Sequence, residues 1–164
     1  GKNIITVGEE LQHAKSYLDI QKYRYKNKFI SYFEIEEDIE KYKTIKLILQ
    51  PLIENAIYYG MEYMDGDGEI YIRAYTREND LYFEVEDNGL GMREEQVAGL
   101  LTEEPKVRSK GSGIGLRNVH QRIQLYFGET YGLQIESEPD EGTIIRIHLP
   151  KTEDVVSEAG GDKR

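Results

Sequence analysis

Apolar positions recur at helical spacing in three stretches of this chain and alternate in five others, which gives a provisional order of elements. From Glu9 to Lys28, Leu11, Ala14, Leu18 and Tyr25 mark one narrow apolar face on a polar stretch, predicting a helix that needs a partner for that face. Phe29, Ser31, Phe33 and Ile35 then alternate with their neighbours as far as Glu36, a strand pattern. Ile45, Ile48, Leu49, Leu52, Ile53, Ala56, Ile57 and Gly60 form an unbroken i, i+3, i+4 series, so the spacing predicts a helix from Lys43 to about Met61 laid on the core. Turn chemistry at Asp65-Gly66-Asp67-Gly68 leads into a hairpin of strands Glu69–Thr76 and Leu81–Asp87. A short polar helix near Arg93 to Leu101, a mobile loop from Pro105 to Gly113 and an amphipathic helix from Ile114 to Phe127 follow. Strands Leu133–Ser137 and Thr143–Leu149 close the pattern, and Lys151 to Arg164 reads as a disordered tail. Strands separated by helices predict an α+β fold, a two-layer sandwich with a mixed, mainly antiparallel sheet covered on one face.

Composition narrows the possible partners. With 31 acidic residues against 21 basic and a formal charge of −10, the chain lacks the surface that grips nucleic acid or anionic lipid. It has no Cys, which excludes disulfides, cysteine metal sites and thiol nucleophiles. No apolar run approaches the roughly 20 residues of a membrane helix. Gly1 in place of a Met suggests a cleavage scar on a piece of something longer.

Three clusters carry candidate chemistry. Leu81, Phe83 and Val85 set the buried parity of their strand and Asp87 continues it, which puts a carboxylate on the core side in need of a donor such as a ligand amine. Gly89 and Gly91 follow in Asn88-Gly89-Leu90-Gly91, where glycine permits positive φ and close approach of a ligand; an ordinary Asp-Asn-Gly turn carries the same residues. Gly111-Ser112-Gly113-Ile114-Gly115-Leu116 opens the last helix, whose free amides suit an anion such as phosphate, although a flexible linker would look similar. Lys106, Arg108, Lys110, Arg117 and Arg122 make the stretch from 106 to 122 wholly basic in its charged residues. Asn55, about 110° from the centre of its helix stripe and beside Pro51 and Tyr59, can face a cleft, where its neutral oxygen suits Mg²⁺; a capping or surface Asn is the plainer reading. Glu54 lies about 150° from that centre and reads as a solvent residue, a weak catalytic candidate.

In this order and at these spacings, the three clusters resemble the ATP-binding catalytic domain of sensor histidine kinases, whose Bergerat-type fold is shared with type II topoisomerase, heat-shock chaperone and mismatch-repair ATPases. Leu49-Gln50-Pro51-Leu52-Ile53-Glu54-Asn55-Ala56 and Leu116-Arg117-Asn118-Val119 are similar to the LytS/YesM-type branch. The resemblance implies residues 1–28 as the end of the dimerisation helix region, 29–150 as the catalytic domain and 151–164 as a tail. It further implies that Asp87 binds the adenine amine, Gly89 and Gly91 shape the pocket, and Asn55 holds Mg²⁺. Lys110, Gly111, Gly113, Gly115 and Leu116 would form the phosphate end of the lid. The related ATPases carry a water-activating Glu four residues before the Asn, where this chain has Pro51, so transfer of the γ-phosphoryl of ATP to a separate histidine is favoured over hydrolysis. Tyr58 stands where many kinases have a basic residue, and Lys110 or Arg108 would substitute. None of His13, His120 and His148 sits in an acceptor context. The implied partners are the phosphoacceptor helices of the same kinase and a response regulator, and the implied setting is the cytoplasmic domain of a homodimeric, membrane-anchored sensor. The competing functions are a nucleotide-binding regulatory module and a hydrolytic ATPase of the same fold.

Overall fold

Thr6 starts the first helix by closing a capping box with Glu9. Its hydroxyl accepts from the Glu9 N–H at 3.1 Å, while the Glu9 carboxylate accepts from the Thr6 N–H at 2.9 Å. Helix α1 therefore runs Val7–Arg24, beginning before Glu9 and ending before Lys28, because Lys26 and Asn27 take left-handed φ of 55° and 61° and turn the chain away. The computed structural model describes residues 3–61, 64–102 and 114–153. Its strands are β1 (Ile4–Thr6), β2 (Phe29–Ile35), β3 (Lys43–Ile45), β4 (Gly68–Arg77), β5 (Asp80–Asp87), β6 (Gly132–Glu138) and β7 (Gly142–Pro150). Its remaining helices are α2 (Leu49–Asn55), which passes into a π-helical turn over Ala56–Met61, then α3 (Glu94–Gly99) and α4 (Ile114–Phe127).

The main sheet has the order β2-β4-β5-β7-β6, with β2 and β4 parallel and every other pair antiparallel. Ile70, Ile72, Ala74, Leu81, Phe83, Val85, Ile145, Ile147 and Leu149 alternate inward from β4, β5 and β7. Against them pack Leu11, Ala14 and Leu18 of α1, Leu49, Leu52 and Ile53 of α2, and Leu116, Val119 and Ile123 of α4, in one continuous core. This is the expected α+β sandwich, and α1 finds in the core the partner its apolar face requires.

The predicted helix from Lys43 is corrected. Lys43–Ile45 is instead strand β3, paired antiparallel with β1, and α2 starts only at Leu49. Leu47 takes φ of 60°, which a helix cannot pass through, and Thr44 and Ile45 are β-branched. Ile45, Ile48 and Leu49 are all buried, so a short buried strand and a helix turn present the same apolar spacing here. Of the predicted mobile loop and tail, residues 103–113 and 154–164 lie outside the described residues, whereas the Lys151 N–H donates to Asn79 O and the Thr152 carbonyl accepts from Lys43 N.

Tyrosines cover the second face of the sheet. Tyr32 stacks on Tyr71, Tyr75 on Tyr82, and Tyr82 on His148, with ring centroids 4.8, 5.4 and 4.9 Å apart. Between them, Glu84 joins Arg73 at 3.2 Å and Arg146 at 2.7 Å. His148 is thereby held in an aromatic stack, and His120 accepts the Leu133 N–H at Nδ1, 3.0 Å away, while His13 is exposed on α1.

Candidate functional site

The inward parity of β5 does carry Asp87 to the core side, where it is only 4% exposed. The Gly89 N–H donates to its Oδ1 at 2.9 Å, and the backbone N–H of Thr143 donates to the same carboxyl. Burial pushes this carboxyl up from its usual 3.8 to about 7, and the two backbone donors pull it back only in part. A carboxylate has about four acceptor sites, so Asp87 retains capacity for a further donor.

Glycines frame this carboxyl by lack of a side chain. A Cβ on Gly60, in the π-helical turn, would meet the Asp87 carboxyl at 2.7 Å. A Cβ on Gly89 would lie 2.1 Å from the Gly60 carbonyl oxygen, so the two backbones touch. Gly91 adopts φ of 72° and fits under the Glu138 carbonyl of the β6–β7 turn. Beside it the Met92 N–H donates to Ser137 Oγ at 2.9 Å. Gly91 thus anchors the loop to β6 and β7, while Gly89 and Gly60 form the contact beside Asp87. Asn88 ties the end of β5 to the preceding turn, accepting from Glu69 N at 2.8 Å and donating to Asp67 O at 3.2 Å.

Asn55 is the last residue of α2, at the junction with the π-helical turn, and is 4% exposed. Such a π segment shifts the helix register, a feature frequent at functional sites. Here it leads from Asn55 to Gly60 and so to Asp87. The start of α4 comes to the same helix, because a Cβ on Gly115 would lie 3.3 Å from Pro51 Cβ, one turn before Asn55. Gly115 thus lies against the helix one turn before Asn55, and Asp87 with Gly89 meets the same helix five residues after it at Gly60, whereas Leu116 is buried in the core. Lys110, Gly111 and Gly113, like Lys106 and Arg108, lie outside the described residues.

Arg122 and Glu54 make contacts of their own. Arg122 donates to the carbonyls of Lys46 and Leu47 at 2.7 and 3.3 Å. Glu54 is exposed, as its place on the helix predicts, and faces Tyr17 of α1, whose phenol is pushed up to about 12 by burial and by this carboxylate. Gly60 was the residue to find, since a glycine on an otherwise apolar helix stripe signals close approach by something else. Thr143 contributes only a backbone N–H, for which its side chain gives no signal.

Residues 40–153 match the model of the family described as histidine kinase-, DNA gyrase B- and HSP90-like ATPase. The chain belongs to this family. It is 38% identical to the sensor histidine kinase YesM of Bacillus subtilis over 94% of its own length, and 33% identical to the sensor protein LytS of Bacillus anthracis over 90%. It spans about a quarter of the length of these curated relatives, 25% in each case. Among solved structures, the catalytic domain of histidine kinase ThkA superposes with a TM-score of 0.68 at 19% identity, covering 92% of this chain and 99% of that one. The mycobacterial sensor histidine kinase MprB does so with a TM-score of 0.64 at 19% identity, covering 91% and 97%. The fold of this ATPase-family chain is that of a histidine kinase catalytic domain.

Proposed function

We propose that this chain is the catalytic domain of a two-component sensor histidine kinase, transferring the γ-phosphoryl group of MgATP to a histidine outside it for relay to a response regulator. The observation that carries this reading is the buried Asp87 carboxyl, framed by the Gly60–Gly89 contact and retaining acceptor capacity. Asp87 accepts the adenine amine, Gly89 holds that carboxyl through its N–H and packs on Gly60, and Asn55 offers a buried neutral oxygen on the phosphate side. Gly115, with Lys110, Gly111 and Gly113 before it, supplies the start of α4 for the phosphates. Among the described residues no group of three or more His, Asp or Glu side chains is placed to hold a metal. Asn55 would be one ligand of a Mg²⁺ that takes the rest from phosphate and water and neutralises charge on the phosphates.

In the transfer, the bond from the γ-phosphorus to the bridging oxygen breaks as one to a histidine nitrogen forms, and ADP leaves. The chain contributes positioning and charge rather than a base, since Pro51 has no proton acceptor at the place from which water would be activated. Incubation with labelled ATP and the separate dimerisation segment is expected to give phosphohistidine on that segment and little free phosphate. Steady phosphate release without phosphohistidine would show a hydrolytic ATPase instead. We place α1 at the end of the dimerisation helix region of a homodimeric, membrane-anchored parent; no helix among the described residues is long and apolar enough to cross a membrane.

Asn55→Asp is expected to weaken MgATP binding by about tenfold, because a second anion beside the phosphates adds repulsion of order 1 kcal/mol. Calorimetric titration checks this, and unchanged affinity would remove Asn55 from the site.

A further inference from the structure

Helix α2 has no cap of its own. Its N-cap residue is Ile48, which makes no side-chain hydrogen bond to the helix. Three successive N–H groups there nevertheless converge on one carboxylate from α1. Leu47 N donates to Glu10 Oε1 at 2.9 Å, and Ile48 N and Leu49 N donate to Glu10 Oε2 at 2.8 and 2.9 Å. Glu10 is 1% exposed, so this is a buried anion neutralised by backbone donors and by the positive end of α2. Tyr17, two turns further along α1, faces the carboxylate of Glu54, the neighbour of Asn55, whose charge adds to burial in raising the phenol. α1 therefore binds the start of α2 through Glu10 and lies beside its last turn at Tyr17. Arg122 of α4 takes the carbonyls of Lys46 and Leu47, which fixes the other side of the same turn.

A helix of seven residues cannot hold its own geometry in water. Ile53 and Leu52 anchor one side of it to the core, but its axial position is set where its first amides are bound. We propose that Glu10 is a positioning residue for the metal side of the nucleotide site: by capping α2 across the fold, its carboxylate sets where Asn55 stands. The proposal rests on the reading of Asn55 as a Mg²⁺ ligand. It makes α1, the segment that leads into the domain, a working part of the site. Asp87 stands on β5 and is held by its own donor, the Gly89 N–H, so the adenine side is expected to respond less to this clamp than the metal side.

The test is ADP titration of the whole chain with Mg²⁺ and with EDTA, on the wild type, Glu10→Gln and Glu10→Asp. Gln keeps the shape and one acceptor but loses the charge and sets an NH₂ against the helix donors. Asp keeps the charge and falls short by one methylene. In Glu10→Gln the affinity gained from Mg²⁺ is expected to fall about five- to tenfold, while affinity in EDTA changes less than twofold. Glu10→Asp is expected to lose less of the same gain, and it remains available if Glu10→Gln does not fold. Amide exchange in α2 is expected to accelerate at least tenfold with β5 unchanged. An intact Mg²⁺ gain in a folded variant, or equal losses with Mg²⁺ and EDTA, overturns the proposal alone. A wild type that binds no nucleotide overturns the functional reading and this proposal together.

Discussion

Asp87→Asn is expected to weaken adenine-nucleotide binding by roughly ten- to a hundredfold while the chain remains folded, since a hydrogen bond to a charged group contributes about 1.5–3 kcal/mol. Asn retains an oxygen for the Gly89 N–H, so the turn after β5 keeps its local bond. The variant also separates binding from stability through pH. In the ligand-free protein the Asp87 carboxyl is raised from 3.8 to about 7 by burial, so its stabilising form is the protonated one. That contribution is fully present below pH 4 and is lost as pH rises towards 7, a change of roughly 4 kcal/mol for a shift of this size. Asn does not ionise and loses nothing. The stability of Asp87→Asn relative to wild type is therefore expected to rise from pH 4 to pH 7.5, as read from thermal denaturation at a series of pH values. Nucleotide affinity runs the other way: the amine needs an acceptor, so wild-type affinity strengthens between pH 6 and pH 8 while that of the variant stays flat. Parallel pH profiles for the two proteins would show that Asp87 does not meet the ligand.

Asp87 was legible because strand parity is a strict rule. With Leu81, Phe83 and Val85 inward, the residue two further on has no other direction to point, and the sheet register agrees. The two hairpins and α4 were legible for similar reasons of periodicity and turn chemistry. β3 was not, because Ile45 and Ile48 are buried in either conformation and only the left-handed Leu47 decides between them. The Thr6–Glu9 capping box was present in the sequence as T-x-x-E and placed the true start of α1, although apolar spacing pointed later. Glu10 was invisible for a deeper reason. An acidic residue in the first turn of a helix already has a local explanation, and nothing in its neighbourhood announces amides 37 to 39 residues away. Contacts of that separation arise from packing, not from pattern. The glycines were partly legible: both Gly89 and Gly91 were read as needing freedom of φ, but only Gly91 is left-handed, and Gly89 is required by contact.

That contact makes Gly89→Ala a strongly damaging substitution although it adds only one methyl group. The added methyl would sit 2.1 Å from the oxygen, 2.2 Å from the Cα and 2.4 Å from the carbonyl carbon of Gly60. All three are backbone atoms, so no rotamer change relieves the clash, and one of the two segments must move by more than an ångström. Overpacking of this kind costs about 1–3 kcal/mol or more, and moving Gly89 breaks its buried bond to Asp87 at a further cost of about 1–3 kcal/mol. A total of roughly 3–5 kcal/mol corresponds to a fall in Tm of about 10 °C or more for a domain of this size. Gly66→Ala is the matching control: its φ of 98° is unfavourable to Ala, but nothing lies within 4 Å of the new methyl, so the loss is expected to stay near 1–2 kcal/mol. Nucleotide binding distinguishes the two further. Gly89→Ala displaces the π-helical turn that joins Asn55 to Asp87 and is expected to abolish binding even below its Tm, whereas Gly66→Ala leaves it intact. Equal Tm losses, or a Gly89→Ala chain that still binds, would mean that the Gly60–Gly89 contact is not what holds the two halves of the site together.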